Sequence, residues 1–200
     1  MIIKSFEIEK IKSKKNNLFL IYGSNQGHKI QVIKDLFEKS FIGQISRFDE
    51  DEILNNHEEF ISNLMNKSLF DDEKLLIISR TTEKILKIVN ELIEKNIEKV
   101  KIVFNSDSLE KKSKLRNLFE KQDNTICVAC YLDSEKDLEN ITYTELKKNN
   151  INLSRESVNL IIEKSNQDRE NLKNELEKIK SFAYNKKKIE IDQIKSLINF

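Results

Sequence analysis

Between residues 18 and 131 the chain alternates short apolar runs with longer stretches whose apolar residues recur every three or four positions. Leu18 to Tyr22 (LFLIY) is a continuous apolar run closed by Gly23, the pattern of a parallel strand buried on both faces. His28 to Lys39 follows with Ile30, Ile33, Leu36 and Phe37 on one helical face. Gln44 to Phe48 reads as a second short strand, and Asp49 to Asn66 as a helix with Ile53, Phe60, Ile61, Leu64 and Met65 inward. Lys74 to Ser79 (KLLIIS) and Val100 to Asn105 (VKIVFN) read as strands. They flank a helix over Thr81 to Lys95 that carries Ile85, Ile88, Val89, Leu92 and Ile93. Leu109, Leu115, Leu118 and Phe119 mark the next helix, and Thr125 to Tyr131 closes the series. Strands alternating with helices predict βαβ units, hence an α/β fold with a parallel sheet and helices on both faces.

After Asp133 the strand pattern stops. Leu138 to Lys148, Ser154 to Lys164 and Asp168 to Tyr184 all carry helical periodicity. Ser154 and Asp168 stand where a side-chain oxygen can accept from the free N–H groups of a first helical turn. A short extended piece, Ile189 to Ile191, precedes a small helix starting near Asp192. The chain is therefore expected to divide into an α/β domain, 1–133, and a small all-helical domain, 134–200. The second is small enough to need the first for support.

Composition narrows the function classes. Lys and Arg number 35 against 34 Asp and Glu, a net charge of +1, so no field of one sign dominates the surface. Met1 to Lys15 is interrupted by charges and has no apolar core of a signal peptide. No apolar run reaches the roughly 18 residues of a membrane span. A cytoplasmic protein without membrane contact is expected. Cys127 and Cys130 form a C-x-x-C inside an apolar run. In a strand, residues three apart face opposite ways, which suits two buried thiols and not a redox pair or a zinc site.

Aligned on its first glycine, the loop after the first strand reads Gly23-Ser24-Asn25-Gln26-Gly27-His28-Lys29-Ile30. A phosphate-binding loop needs G-x-x-x-x-G-K-[ST]. Lys29 is in register, but His28 replaces the second glycine and Ile30 the metal-binding hydroxyl. Gly23, Gly27, His28, Lys29 and Ile30 thus form a degenerate loop, and no cofactor is expected. Neither KLLIIS nor VKIVFN ends in an acidic pair for magnesium. No catalytic residue set or metal-ligand cluster stands out, and His57 reads as a partly exposed structural residue.

Asn66-Lys67-Ser68-Leu69-Phe70-Asp71-Asp72-Glu73 has two readings. Leu69 and Phe70 either cover the sheet edge or form an exposed apolar anchor flanked by acids. Lys111, Lys112, Lys114 and Arg116 are candidate DNA contacts, with an ordinary solvated helix face as the alternative.

In order and spacing these features resemble the delta subunit of the bacterial DNA polymerase III clamp loader, across essentially all 200 residues. The carrying segments are LFLIYGSNQGHKI, NKSLFDDEKLLIIS, VKIVFNSDSLEKKSKLRNLF and NQDRENLKNELEKIKSFAY. The resemblance implies an AAA+-type, P-loop-like module with a helical lid-type domain and no ATPase activity of its own. It implies a component of the DNA-directed DNA polymerase III holoenzyme, a nucleotidyltransferase complex, acting in DNA replication. The implied partners are the sliding clamp (beta subunit), the gamma/tau and delta-prime subunits, and DNA indirectly or weakly. The clamp contact falls on Leu69 and Phe70, with Ser68, Met65 and Lys67 beside them. Lys67 stands where some members carry a third apolar contact, a gap Met65 can fill. The family's third, collar domain has no counterpart before Phe200, so the chain is expected to be a fragment or a short member. The alternatives are an active P-loop NTPase, a delta-prime or motor subunit (which carries a cysteine cluster not found here), and a generic α/β interaction domain.

Overall fold

The apolar runs form one parallel sheet. The structure is a computed structural model and describes residues 2–3, 17–65, 73–95, 97, 99–184 and 189–198. Its strands are β1 (Ile2–Ile3), β2 (Leu18–Tyr22), β3 (Gln44–Asp49), β4 (Lys74–Thr81), β5 (Val100–Ser106) and β6 (Thr125–Ala129). They lie in the order β1-β6-β2-β5-β4-β3, and every neighbouring pair is parallel. All carboxyl ends therefore open on one edge, where Val128, Ile21, Asn105, Ser79 and Asp49 stand in one register row. Ligands of open α/β sheets bind beyond that edge.

The chain divides into two units: Met1–Ser24 with Lys29–Cys130, and Asn25–His28 with Tyr131–Phe200. In the first, strand residues alternate between two apolar layers because side chains follow a period of two. Leu20, Tyr22, Ile102, Phe104, Leu76 and Ile78 face one layer, which α2 (Glu50–Asn55), α3 (His57–Met65), α4 (Leu86–Lys95) and α5 (Lys114–Lys121) complete. Phe19, Ile21, Val103, Leu75, Ile77 and Val128 face the other. That layer is closed by Val32, Ile33 and Phe37 from the end of α1 (Gln26–Ile33) and the turn after it. Phe19 and Phe37 meet edge to face at 4.7 Å, an arrangement worth about 0.5–1.5 kcal/mol beyond its buried area. Cys127 and Cys130 are free thiols in opposite layers. Burial, reinforced by the Glu120 carboxylate, pushes the Cys127 thiol up to about 12, which excludes a reactive thiolate.

Several elements differ from the sequence pattern for local reasons. The helix expected over 49–66 breaks at Asn56, whose side chain takes the Glu52 carbonyl at 3.0 Å and so competes with the helical ladder. The helix expected from His28 begins at Gln26, and its last turn, Lys34–Glu38, widens so that Lys39 N–H reaches the Lys34 carbonyl. β4 continues to Thr81 through a bulge, and a single 3-10 turn, Glu83–Ile85, precedes α4. Leu109 lies ahead of α5, which starts only where Ser113 accepts from Arg116 N–H. The two-residue strand β1, along Cys127 and Val128 of β6, has no counterpart in the sequence reading.

The second unit packs α6 (Glu135–Lys148), α7 (Arg155–Ser165), α8 (Arg169–Ala183) and α9 (Ile191–Leu197) around Leu138, Val158, Ile161, Leu172, Leu176, Ile179 and Ile194. Ser154 and Asp168 cap α7 and α8 through their side chains, as their positions predict. Asn166, at φ 50°, ends α7 in the left-handed conformation that asparagine tolerates. Among the described residues, no helix is long and apolar enough to cross a membrane.

Candidate functional site at the first strand-to-helix loop

The segment from Gly23 to Ile30, a three-residue loop and the start of α1, leaves the carboxyl end of β2 at the centre of the sheet. Gly23, at φ 138°, would place a Cβ 2.0 Å from the Cys130 carbonyl oxygen, so only glycine fits. Its N–H donates to the Asp107 carbonyl at 3.3 Å. Lys29 is 1 % exposed. Its ammonium donates to the Ser106 carbonyl at 2.7 Å and pairs with Asp107 Oδ1 at 3.2 Å. A buried ammonium is tolerable only with such partners. Ile30 is 52 % exposed, an apolar side chain in the hydroxyl position.

The other strand ends around this edge are also occupied. Arg80, at φ 57°, pairs with Asp49, and the Thr81 and Ser106 hydroxyls bond each other at 2.6 Å. Glu50 is buried and accepts from the Thr82 N–H at 2.6 Å. Asn105 Oδ1 is buried with no hydrogen-bond partner among the described residues. Such an orphaned acceptor costs about 1–3 kcal/mol and marks a place to look for a donor from outside. In the sequence Asn105 stands out only as a non-acidic strand end.

Residues 25–28 belong to the second unit, and the partners of the Asn25 side chain lie there. Asn25 caps α1: its Oδ1 accepts from His28 N–H at 3.0 Å. Its Nδ2 donates to the Tyr131 carbonyl at 3.2 Å and to Asp133 Oδ2 at 2.8 Å. Asp133 is buried and also accepts from Arg169 through Nε and Nη2, both at 2.6 Å. A Cβ on Gly27 would come within 2.7 Å of the Glu170 backbone nitrogen, so this glycine permits close approach to the start of α8. His28 is buried, and its Nδ1 has no partner among the described residues. Burial, with the nearby Arg169 guanidinium, lowers it to about 4, so the ring is neutral at pH 7. Nothing in the sequence singled out Asn25, Asp133 or Arg169 as one network.

These residues do not fit a nucleotide with its magnesium. The lysine that would reach the terminal phosphates is held by a strand carbonyl and Asp107. The hydroxyl position is an isoleucine, and the second glycine position is a buried imidazole. Among the described residues, no group of three His, Cys, Asp or Glu side chains is placed to hold a metal.

The residues expected at a clamp interface divide. Lys67, Ser68, Leu69 and Phe70 lie outside the described residues. Met65 ends α3 and is 48 % exposed, while Leu64 beside it packs on the core. A cavity of about 540 Å³ lies between β3, β4 and the helices α2 and α3. Phe48, Ile53, Phe60, Leu64 and Leu76 form its apolar lining, and Glu52, Glu59 and Lys74 are among its polar lining residues.

Among the candidate DNA contacts, Lys111, Lys112 and Lys114 are exposed in and after the loop before α5. Arg116 is not on that exposed face: it is 9 % exposed. Its Nε donates to Glu120 at 2.6 Å, and its guanidinium lies 5.1 Å from the Tyr22 ring centre. The four-residue spacing of Arg116 and Glu120, visible in the sequence, aligns them on one side of α5. His57 bonds Glu91 at 2.8 Å and is partly exposed, a structural pairing.

The parallel sheet in this strand order, with helices on both faces and a helical unit after it, is an AAA+-type, P-loop-like fold. Within that class the chain is similar to the DNA clamp loader delta protein of Bacillus subtilis, at 15 % identity and a TM-score of 0.59. The match covers 96 % of this chain and 61 % of that protein, so this chain spans less than two thirds of its length. It is also similar to domain III of the replication initiation protein DnaA of Thermotoga maritima. That match has 16 % identity and a TM-score of 0.51, covering 96 % and 88 % of the two chains. The Holliday junction branch migration motor RuvB of the same organism matches at 10 % identity and a TM-score of 0.56, covering 96 % and 64 %. No protein-family model and no curated protein sequence matches the chain.

Proposed function

We propose that this chain is a delta-type clamp-loader subunit that binds a ring-shaped sliding clamp and helps open it for loading onto primed DNA, without hydrolysing ATP itself. The observation that carries the reading is the state of Lys29. In a fold shared with a clamp loader delta protein, the lysine retained in register from a phosphate loop is buried and held by Ser106 and Asp107. A chain with this scaffold has lost the use of nucleotide and is suited to a passive, gripping role.

Leu69 and Phe70 are the proposed grip, with Ser68, Lys67 and the exposed Met65 alongside. Burying two such side chains supplies on the order of 3–6 kcal/mol before association costs. A plug opens a ring only if it binds the opened interface better than the closed one. The energy of nucleotide turnover then comes from motor subunits, the gamma/tau and delta-prime partners of a cytoplasmic DNA polymerase III assembly. Domain limits of 1–133 and 134–200 for the gripping and helical parts belong to the same proposal.

The test is a pair of measurements on the same preparation: sliding-clamp binding by titration, and ATP turnover with magnesium. Clamp binding without turnover supports the proposal. Turnover that vanishes in Lys29→Ala favours an active P-loop NTPase instead.

A further inference from the structure

The misfit between this loop and a nucleotide has a positive counterpart in the second unit. The first turn of a helix leaves backbone N–H groups without partners and carries partial positive charge, which makes it a natural anion site. Beside Asn25, the residue that caps α1, the chain supplies an anion of its own. The Asp133 carboxylate receives two donors from the planar fork of Arg169 and a third from the Asn25 amide. Asn25 in turn caps His28 N–H. The Asp133 side chain is 5 % exposed. A buried carboxylate ringed by a bidentate arginine and an amide has the contact pattern of a bound oxyanion. His28, whose N–H that cap holds, is 5 % exposed, and its Nδ1 has no partner among the described residues.

We infer that Asp133 is an internal surrogate for a phosphate-class anion, filling from within the chain a site built by the Arg169 guanidinium and the Asn25 amide beside the start of α1. The surrogate excludes phosphates in two ways. It takes the guanidinium that would otherwise attract them, and its own charge repels them. The inference concerns the second unit alone and does not depend on clamp binding. It shares with the proposed function only the absence of nucleotide use.

The experiment uses the full 200-residue chain, with inorganic pyrophosphate as the probe, read by thermal melting and by calorimetric titration. Wild type should show no melting shift at millimolar pyrophosphate. Asp133→Asn removes the charge at nearly constant shape and should bind pyrophosphate at least about ten-fold more tightly, with a raised melting temperature. Asp133→Ser, read in the same way, guards against a purely steric effect of the asparagine. Adding Arg169→Ala to either variant should abolish the gain. No binding in any variant overturns the surrogate while leaving the nucleotide-free reading intact. Equal binding by wild type and Asp133→Asn overturns both. A gain that survives Arg169→Ala places the anion elsewhere and also overturns the inference.

Discussion

The Lys29 ammonium lies 2.7 Å from the carbonyl oxygen of Ser106, the last residue of β5. A phosphate-loop lysine must be available to a ligand, and this one closes the carboxyl end of a neighbouring strand instead. The same atoms thus give Lys29 a structural role, which is what the proposed nucleotide-free function requires of it.

Lys29→Met keeps the side-chain stem and removes the ammonium. The Ser106 carbonyl loses its charged donor, and stability should fall by about 1–3 kcal/mol in denaturant unfolding. ATP turnover, measured in parallel, should stay at background in both proteins. A working loop would give the opposite pattern, with turnover lost and stability little changed.

The two tightly packed loop glycines should not be equivalent. Gly23→Ala meets both a positive φ and a backbone oxygen at 2.0 Å, whereas Gly27→Ala meets a backbone nitrogen at 2.7 Å in ordinary φ space. Overpacking of the milder kind costs about 1–3 kcal/mol. Melting temperatures should therefore rank wild type above Gly27→Ala and Gly27→Ala above Gly23→Ala.

His28 gives the fold a defined acid sensitivity. Its folded-state value of about 4 lies below the ordinary 6.5 of the unfolded chain. Between those values the unfolded state holds the extra proton, so stability falls as pH drops from 6.5 toward 4 and is unaffected above 6.5. Unfolding midpoints at pH 7 and pH 5 should differ more in wild type than in His28→Gln, where that proton is gone.

Lys111, Lys112 and Lys114 and the nearby Arg116 should separate in a DNA-binding experiment. Changing the three exposed lysines to glutamate should weaken retention of primed DNA by the assembled loader and lessen its salt dependence. Arg116→Ala should leave DNA retention unchanged. Instead it should cost about 1.5–3 kcal/mol of stability, because it strips Glu120 of a charged hydrogen bond.

The sheet was legible because burial on both faces writes continuous apolar runs, and each of the runs at 18–22, 74–79 and 100–105 is a strand. Helix ends were less legible, since they depend on single side chains such as Asn56 and Ser113 that compete for backbone groups. β1 was invisible because two residues carry no period. The degenerate loop could be read from Ile30 and His28, but the Asp133–Arg169 pair could not. Its members lie 36 residues apart, and only the folded helical unit brings them together. Arg116 shows the converse failure: a basic residue in a lysine-rich stretch looks solvated until Tyr22 and Glu120 are seen around it.

The most direct measurement is a titration of bacterial sliding clamp with the wild-type chain and with the Leu69→Ala/Phe70→Ala double variant, each checked for an unchanged melting temperature. Expected is saturable binding by wild type and a loss of about 100-fold or more in the variant, the effect of removing two apolar anchors from one interface. Equal affinity of the two proteins, or no binding by a folded wild type, would contradict the proposed grip on the clamp.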